Sequence, residues 1–112
     1  MITYEPLDVV KVPFPFTDKS TAKMRPALVI SQPAFQREIQ HVILAMITTA
    51  KHSTWPMDVE VIDLSSAGLP VPSVIRLKIF TLDMRLIVDR LGTLDKKTKQ
   101  TLHKHWAAYL AW

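Results

Sequence analysis

The chain has 112 residues, 48% of them hydrophobic and 21% charged, which is enough apolar material for one folded domain and too much for a disordered chain. It contains no cysteine, so disulfides and thiolate metal centres are excluded. No apolar run is long enough to span a bilayer, and residues 1–5 lack the basic and apolar regions of a signal peptide, so a cytoplasmic location is expected.

The formal net charge of +4 suits a polyanionic partner such as nucleic acid. Four of the nine lysines (Lys96, Lys97, Lys99, Lys104) fall in one C-terminal stretch, however, and can be a solvated helix face.

Val9, Val10, Val12, Phe14 and Phe16 form the first β-rich run, with Pro13 and Pro15 restricting it to an edge or to its exit. Residues 17–23 carry no apolar periodicity and read as a solvent loop, re-entering the sheet at Arg25. Residues 26–31 give a second strand with Leu28, Val29 and Ile30 buried, and residues 32–38 a loop or single helical turn. Residues 41–48 are apolar on both faces, Val42, Leu44, Met46 and Thr48 on one and His41, Ile43, Ala45 and Ile47 on the other, so an interior strand is expected.

Residues 49–57 read as a loop, 58–63 as a half-exposed strand and 65–72 as turns. In residues 73–80, Ile75, Leu77 and Ile79 alternate with Val74, Arg76, Lys78 and Phe80, and two cations beside an aromatic would suit phosphates and a stacked base. Residues 85–91 give a short strand closed by Gly92. Asp95 can cap a helix whose Leu102, Trp106, Tyr109 and Leu110 form one stripe. Some six short strands and a terminal helix predict a mainly-β chain, a small antiparallel barrel, with residues 1–112 as a single domain.

One pairing carries a chemical prediction. If the strands at 26–31 and 41–48 are antiparallel neighbours with Ser31 opposite Val42, then Arg25 lies beside Thr48. That pair suits metal-free RNA cleavage, in which the ribose 2′-OH attacks the adjacent phosphorus and negative charge grows on the phosphoryl oxygens. A guanidinium binds two such oxygens at once, and a hydroxyl can donate to one. Because arginine keeps its proton, Arg25 is assigned charge stabilisation rather than base work. The plainer readings are an arginine closing a loop onto a carboxylate such as Asp18, and an ordinary strand threonine.

The residues Val-Pro-Phe-Pro-Phe-Thr-Asp at 12–18, followed by Lys-Met-Arg-Pro-Ala-Leu-Val-Ile-Ser at 23–31, resemble the opening of the MazF/PemK toxins. Weaker matches follow at Ala45-Met46-Ile47-Thr48-Thr49, Gly68-Leu69-Pro70, Ser73-Val74-Ile75-Arg76, Phe80-Thr81-Leu82-Asp83 and Leu91-Gly92. The resemblance implies an SH3-like barrel, a homodimer, a cognate antitoxin and endoribonuclease activity on single-stranded RNA without a cofactor. It also makes Arg25 and Thr48 the catalytic pair. Thr49, Arg76, Lys78, His52 and Lys23 are then the expected RNA contacts.

The chain departs from the family pattern in three places. Lys78 stands where some relatives carry an aspartate, Leu7 replaces a frequent glycine, and the loop after Asp18 lacks one. A related class of gyrase-poisoning toxins shares the fold and acts through an apolar C-terminus. Tyr109, Leu110 and Trp112 keep that non-catalytic alternative open, together with a degenerate interaction domain. Trp55, in the loop after Thr48, could stack on a base. His103 and His105, two apart on a helix, cannot share a metal as an i, i+4 pair can, and no metal site is expected. Asp83 and Asp89 have no evident partner in the sequence.

Overall fold

A computed structural model of the chain describes residues 2–14, 23–52 and 55–111. The expectations for residues 15–22, for Trp112 and for the side chain of His52 lie outside these. Six strands form one antiparallel sheet: β1 (Asp8–Phe14), β2 (Lys23–Val29), β3 (His41–Thr49), β4 (Val59–Glu60), β5 (Ser73–Asp83) and β6 (Asp89–Thr93). Their order across the sheet is β4-β5-β3-β2-β1-β6, with every neighbouring pair antiparallel. Among the described residues three α-helices accompany them, α1 (Pro33–Ile39), α2 (Leu64–Ala67) and α3 (Lys96–Ala107).

The six strands and the terminal helix match the expected mainly-β class. Among the described residues β4 and β6 remain unpaired edges, so the sheet is a curled half-barrel rather than a closed barrel.

Both faces of the sheet are buried, which is why β3 reads as apolar on both sides. Val9, Leu28, Ala45, Ile47 and Ile75 pack under Ala67 of α2 and Leu102 and Trp106 of α3. On the other face Val10, Val12, Ala27, Val29, Val42, Leu44 and Leu82 are covered by Tyr4, Phe80, Met84, Leu86 and Ile87. Leu28, Leu44, Ile47 and Ile75 are fully buried. Each such side chain contributes on the order of 1.5–3 kcal/mol relative to exposure, so the central strands β1, β2, β3 and β5 are the rigid platform.

Several boundaries differ from the sequence reading, each for a local reason. Arg25 sits inside β2, opposite Val12, because the strand begins at Lys23. Pro13 pairs with Met24 where β1 leaves the sheet, beyond the last β6 partner at Lys11, so its missing N–H costs no ladder bond. The strand expected at 58–63 shortens to Val59–Glu60, since the Ile62 N–H donates to Thr98 Oγ1 of α3 at 2.9 Å and Asp63 instead caps α2.

The strand expected at 85–91 is replaced by a 3-10 turn, Met84–Leu86, with β6 starting only at Asp89. Asp83 drives that turn: its carboxylate accepts from the Arg85 N–H at 2.9 Å and holds the Arg85 guanidinium at 2.8 Å. The expected cap of α3 is present, with Asp95 accepting from the Thr98 N–H at 2.9 Å. Burial pushes the Asp95 carboxyl up, but the hydrogen bonds from Thr98 and Asp63 outweigh it and hold the group below its usual range. Of the expected stripe, Leu102 and Trp106 are buried and Leu110 packs against them, but α3 ends at Ala107 and Tyr109 is left 63% exposed. No helix among the described residues is long and apolar enough to cross a membrane.

Candidate active site

The strand pairing sets the frame that relates Arg25 to Thr48. Ala27 faces Met46, Leu28 faces Ala45 and Val29 faces Leu44, the frame expected from setting Ser31 opposite Val42. Beyond the ladder the same frame is held by the Ile30 N–H donating to the Ile43 carbonyl, and the Ile43 N–H to Ser31 Oγ, both at 3.0 Å. Two residues on in the other direction, it sets Arg25 beside Thr48 on the face they share with Val12 and Met46.

Arg25 is exposed and Thr48 half-buried, so the pair is open to a ligand. Among the described residues Arg25 makes no ion pair with a carboxylate.

Alternation assigns Pro26, Ile47, Thr49 and Ser73 to the opposite face. Both sets meet at the end of the sheet around a cavity of ≈ 100 Å³, walled by Leu69, Pro70 and Val71. A second cleft of ≈ 340 Å³, bordered by Lys11, Gly68, Pro70 and Leu91, also reaches Arg25. The wall exists because Gly68 adopts φ 70 at the end of α2, and because Gly92 of β6 lies against the Ser66 carbonyl with no room for a Cβ.

The expected RNA contacts are distributed unevenly around this pair. Thr49 pairs with Ser73, and its Oγ1 is buried with no hydrogen-bond partner among the described residues. Lys23 is exposed at the start of β2. Lys78 is exposed in a β-bulge: Ala45 faces Ile79 and Met46 faces Arg76, leaving Leu77 and Lys78 as two extra residues in β5. His52 closes a 3-10 turn directly after β3.

The strand face expected to present two cations beside an aromatic is not built that way. Arg76 is held by Asp58 through Nε at 3.2 Å and Nη2 at 2.9 Å, with side-chain exposures of 12% and 3%. Phe80 packs into the core below Val42 and Leu44. The ring stacked with Arg76 is instead Trp55, whose centroid lies 5.0 Å from the guanidinium carbon.

Sequence reasoning missed the Asp58 pairing and the role of Leu69, Pro70 and Val71 as a wall. The only signal for the wall was the Gly68-Leu69-Pro70 match. His103 is exposed on α3 and His105 half-buried, and no cluster of His, Asp and Glu among the described residues could hold a metal.

Comparison with known proteins agrees with this architecture. One solved structure is an endoribonuclease in complex with its cognate antitoxin from a mycobacterial species, 21% identical with a TM-score of 0.73 over 100% of this chain and 99% of that one. Mycobacterium tuberculosis toxin MazF-mt6 is 21% identical with a TM-score of 0.71, over 94% and 99% of the two chains. The MazE-MazF structure from Deinococcus radiodurans gives 17%, 0.74, 96% and 95%. At these identities the likeness establishes the fold. No curated protein matches the chain. The family model described as PemK-like, MazF-like toxin of type II toxin-antitoxin system matches residues 5–110, nearly the whole chain, and the half-barrel with its paired strands agrees with it, so the chain belongs to that toxin family.

Proposed function

We propose that this toxin is a sequence-specific, metal-independent endoribonuclease that cleaves single-stranded RNA, mRNA included, and so arrests translation and growth. The observation that carries the reading is the β2–β3 frame, which brings Arg25 and Thr48 together on an open face. The family match and the endoribonuclease neighbours support it.

In this mechanism the ribose 2′-oxygen forms a bond to the adjacent phosphorus and the bond to the 5′-oxygen breaks. The products are a 2′,3′-cyclic phosphate and a 5′-hydroxyl. The 2′ proton is released and the leaving oxygen takes one up. Arg25 lays its fork across the phosphoryl oxygens as their charge grows, and the Thr48 hydroxyl donates to one of them. Lys23, Lys78, His52 and Thr49 contact the strand around this centre, while Arg76, neutralised by Asp58, acts through Trp55.

Residues 1–112 work as one toxin domain in the cytoplasm, as a homodimer. The partner is a cognate antitoxin, as in the mycobacterial and Deinococcus complexes. The test is incubation of the purified protein with a long single-stranded RNA in EDTA, with the ends mapped. Cutting by the parent and none by a folded Arg25→Ala variant is expected. Retained cutting by that variant removes Arg25 from the mechanism, and loss of cutting in EDTA overturns the metal-free chemistry.

A further inference from the structure

Trp55 is built as a platform rather than as core. It is 41% exposed, whereas Trp106 of α3 is 8% exposed. Its backbone is fixed by a turn in which the Asp58 N–H donates to the Trp55 carbonyl at 3.2 Å, with Pro56 at the second position. The Arg76 guanidinium stacks with its ring, and both arms of the Asp58 carboxylate hold that guanidinium still. One ring face is thus occupied by a cation that is itself locked in place, and the exposed remainder is available.

The location matters as much as the build. Arg76 pairs with Met46, and Thr48 pairs with Val74 two residues along on the same face. Arg76 is therefore the diagonal neighbour of Thr48, about 7–8 Å away in an antiparallel ladder. Single-stranded RNA is commonly held by stacking unpaired bases on aromatic rings, and every base offers a π-face.

We propose that Trp55, backed by Arg76 and Asp58, is the stacking platform for the base next to the phosphodiester held by Arg25 and Thr48. It fixes the position of that nucleotide and contributes to the choice of cutting site. The inference rests on the endoribonuclease reading.

The experiment uses the full chain and an oligoribonucleotide carrying a cutting site mapped for the parent, intact or with an abasic ribose at each position around the cut. Trp55→Ala is expected to lower kcat/KM by about 5- to 150-fold, the worth of one stacked base. Trp55→Phe should keep most of the activity. One abasic position should cost the parent a similar factor and cost Trp55→Ala nothing further. A Trp55→Ala variant that cuts like the parent overturns the platform alone, as does a loss shared equally by Trp55→Phe or fully additive with every abasic position. A parent that cuts no RNA overturns the endoribonuclease reading and this inference with it.

Discussion

Arg25 is positioned by its backbone: it is exposed, and Val12 on β1 fixes its place in the ladder. A point charge at the same place should be a poor substitute for the planar fork, so Arg25→Lys is expected to cut RNA about 10²–10³-fold more slowly with the same melting temperature. Single-turnover cleavage beside a thermal melt checks both halves.

Asp83 gives a second residue-scale prediction. The Arg85 side chain and N–H bind its carboxylate and hold its pKa down to about 2, against an ordinary 3.8. A depressed carboxyl stabilises the fold above its ordinary pKa and loses that contribution as pH falls toward its folded value. Asp83→Asn should therefore be the less stable protein at about pH 5, the gap closing between roughly pH 4 and 2, as read from denaturant midpoints. Neither this pair nor Arg76 with Asp58 was legible in the sequence. The first depends on a turn where a strand was expected, the second on a loop folding back across 18 positions. Leu7 was legible only as a departure from the resemblance, standing where a glycine is frequent; its left-handed backbone, φ 74, was not read from the sequence.

Among the elements, the short helix α2 and the edge strand β6 build the wall of the cleft. Gly92 of β6 abuts the Ser66 carbonyl and the backbone at Ala67, so an added methyl must push α2 outward. Gly92→Ala is expected to cost about 1–3 kcal/mol, as overpacking does. It should also lower RNA cleavage, because Leu69, Pro70 and Val71 move with α2. Chemical denaturation and the cleavage assay together decide it; unchanged stability would show that the contact yields. Strand existence was readable from β-rich apolar runs in β1, β2 and β3 and from alternation in β5. The boundaries were not, because Thr98, Asp63 and Asp83 end or replace strands through side chain to backbone bonds that periodicity does not register.

For the molecule as a whole, the net charge of +4 and an exposed Arg25 that makes no ion pair among the described residues predict a salt-dependent grip on RNA. With a 2′-deoxy oligonucleotide, which cannot be cut, the log–log slope of affinity against salt should fall by about 0.7 on Arg25→Ala, the share of one phosphate contact to a single strand. An unchanged slope would place Arg25 away from the backbone. The overall class, six strands with a terminal helix over two apolar layers, was readable from the sequence. The edges left unpaired among the described residues were not, since β4 shortens to Val59–Glu60 where the Ile62 N–H turns to Thr98 of α3 and Asp63 caps α2.

The β2–β3 ladder also governs which changes the chain can absorb. Substitutions leave the side on which each residue emerges untouched, and relatives only 17–21% identical still superpose over nearly the full length. Removing or adding one residue between Arg25 and Leu28 would swing the guanidinium through the sheet to the opposite side and leave Thr48 alone, so inheritance in this toxin is guarded against shifts in count more strictly than against changes of letter.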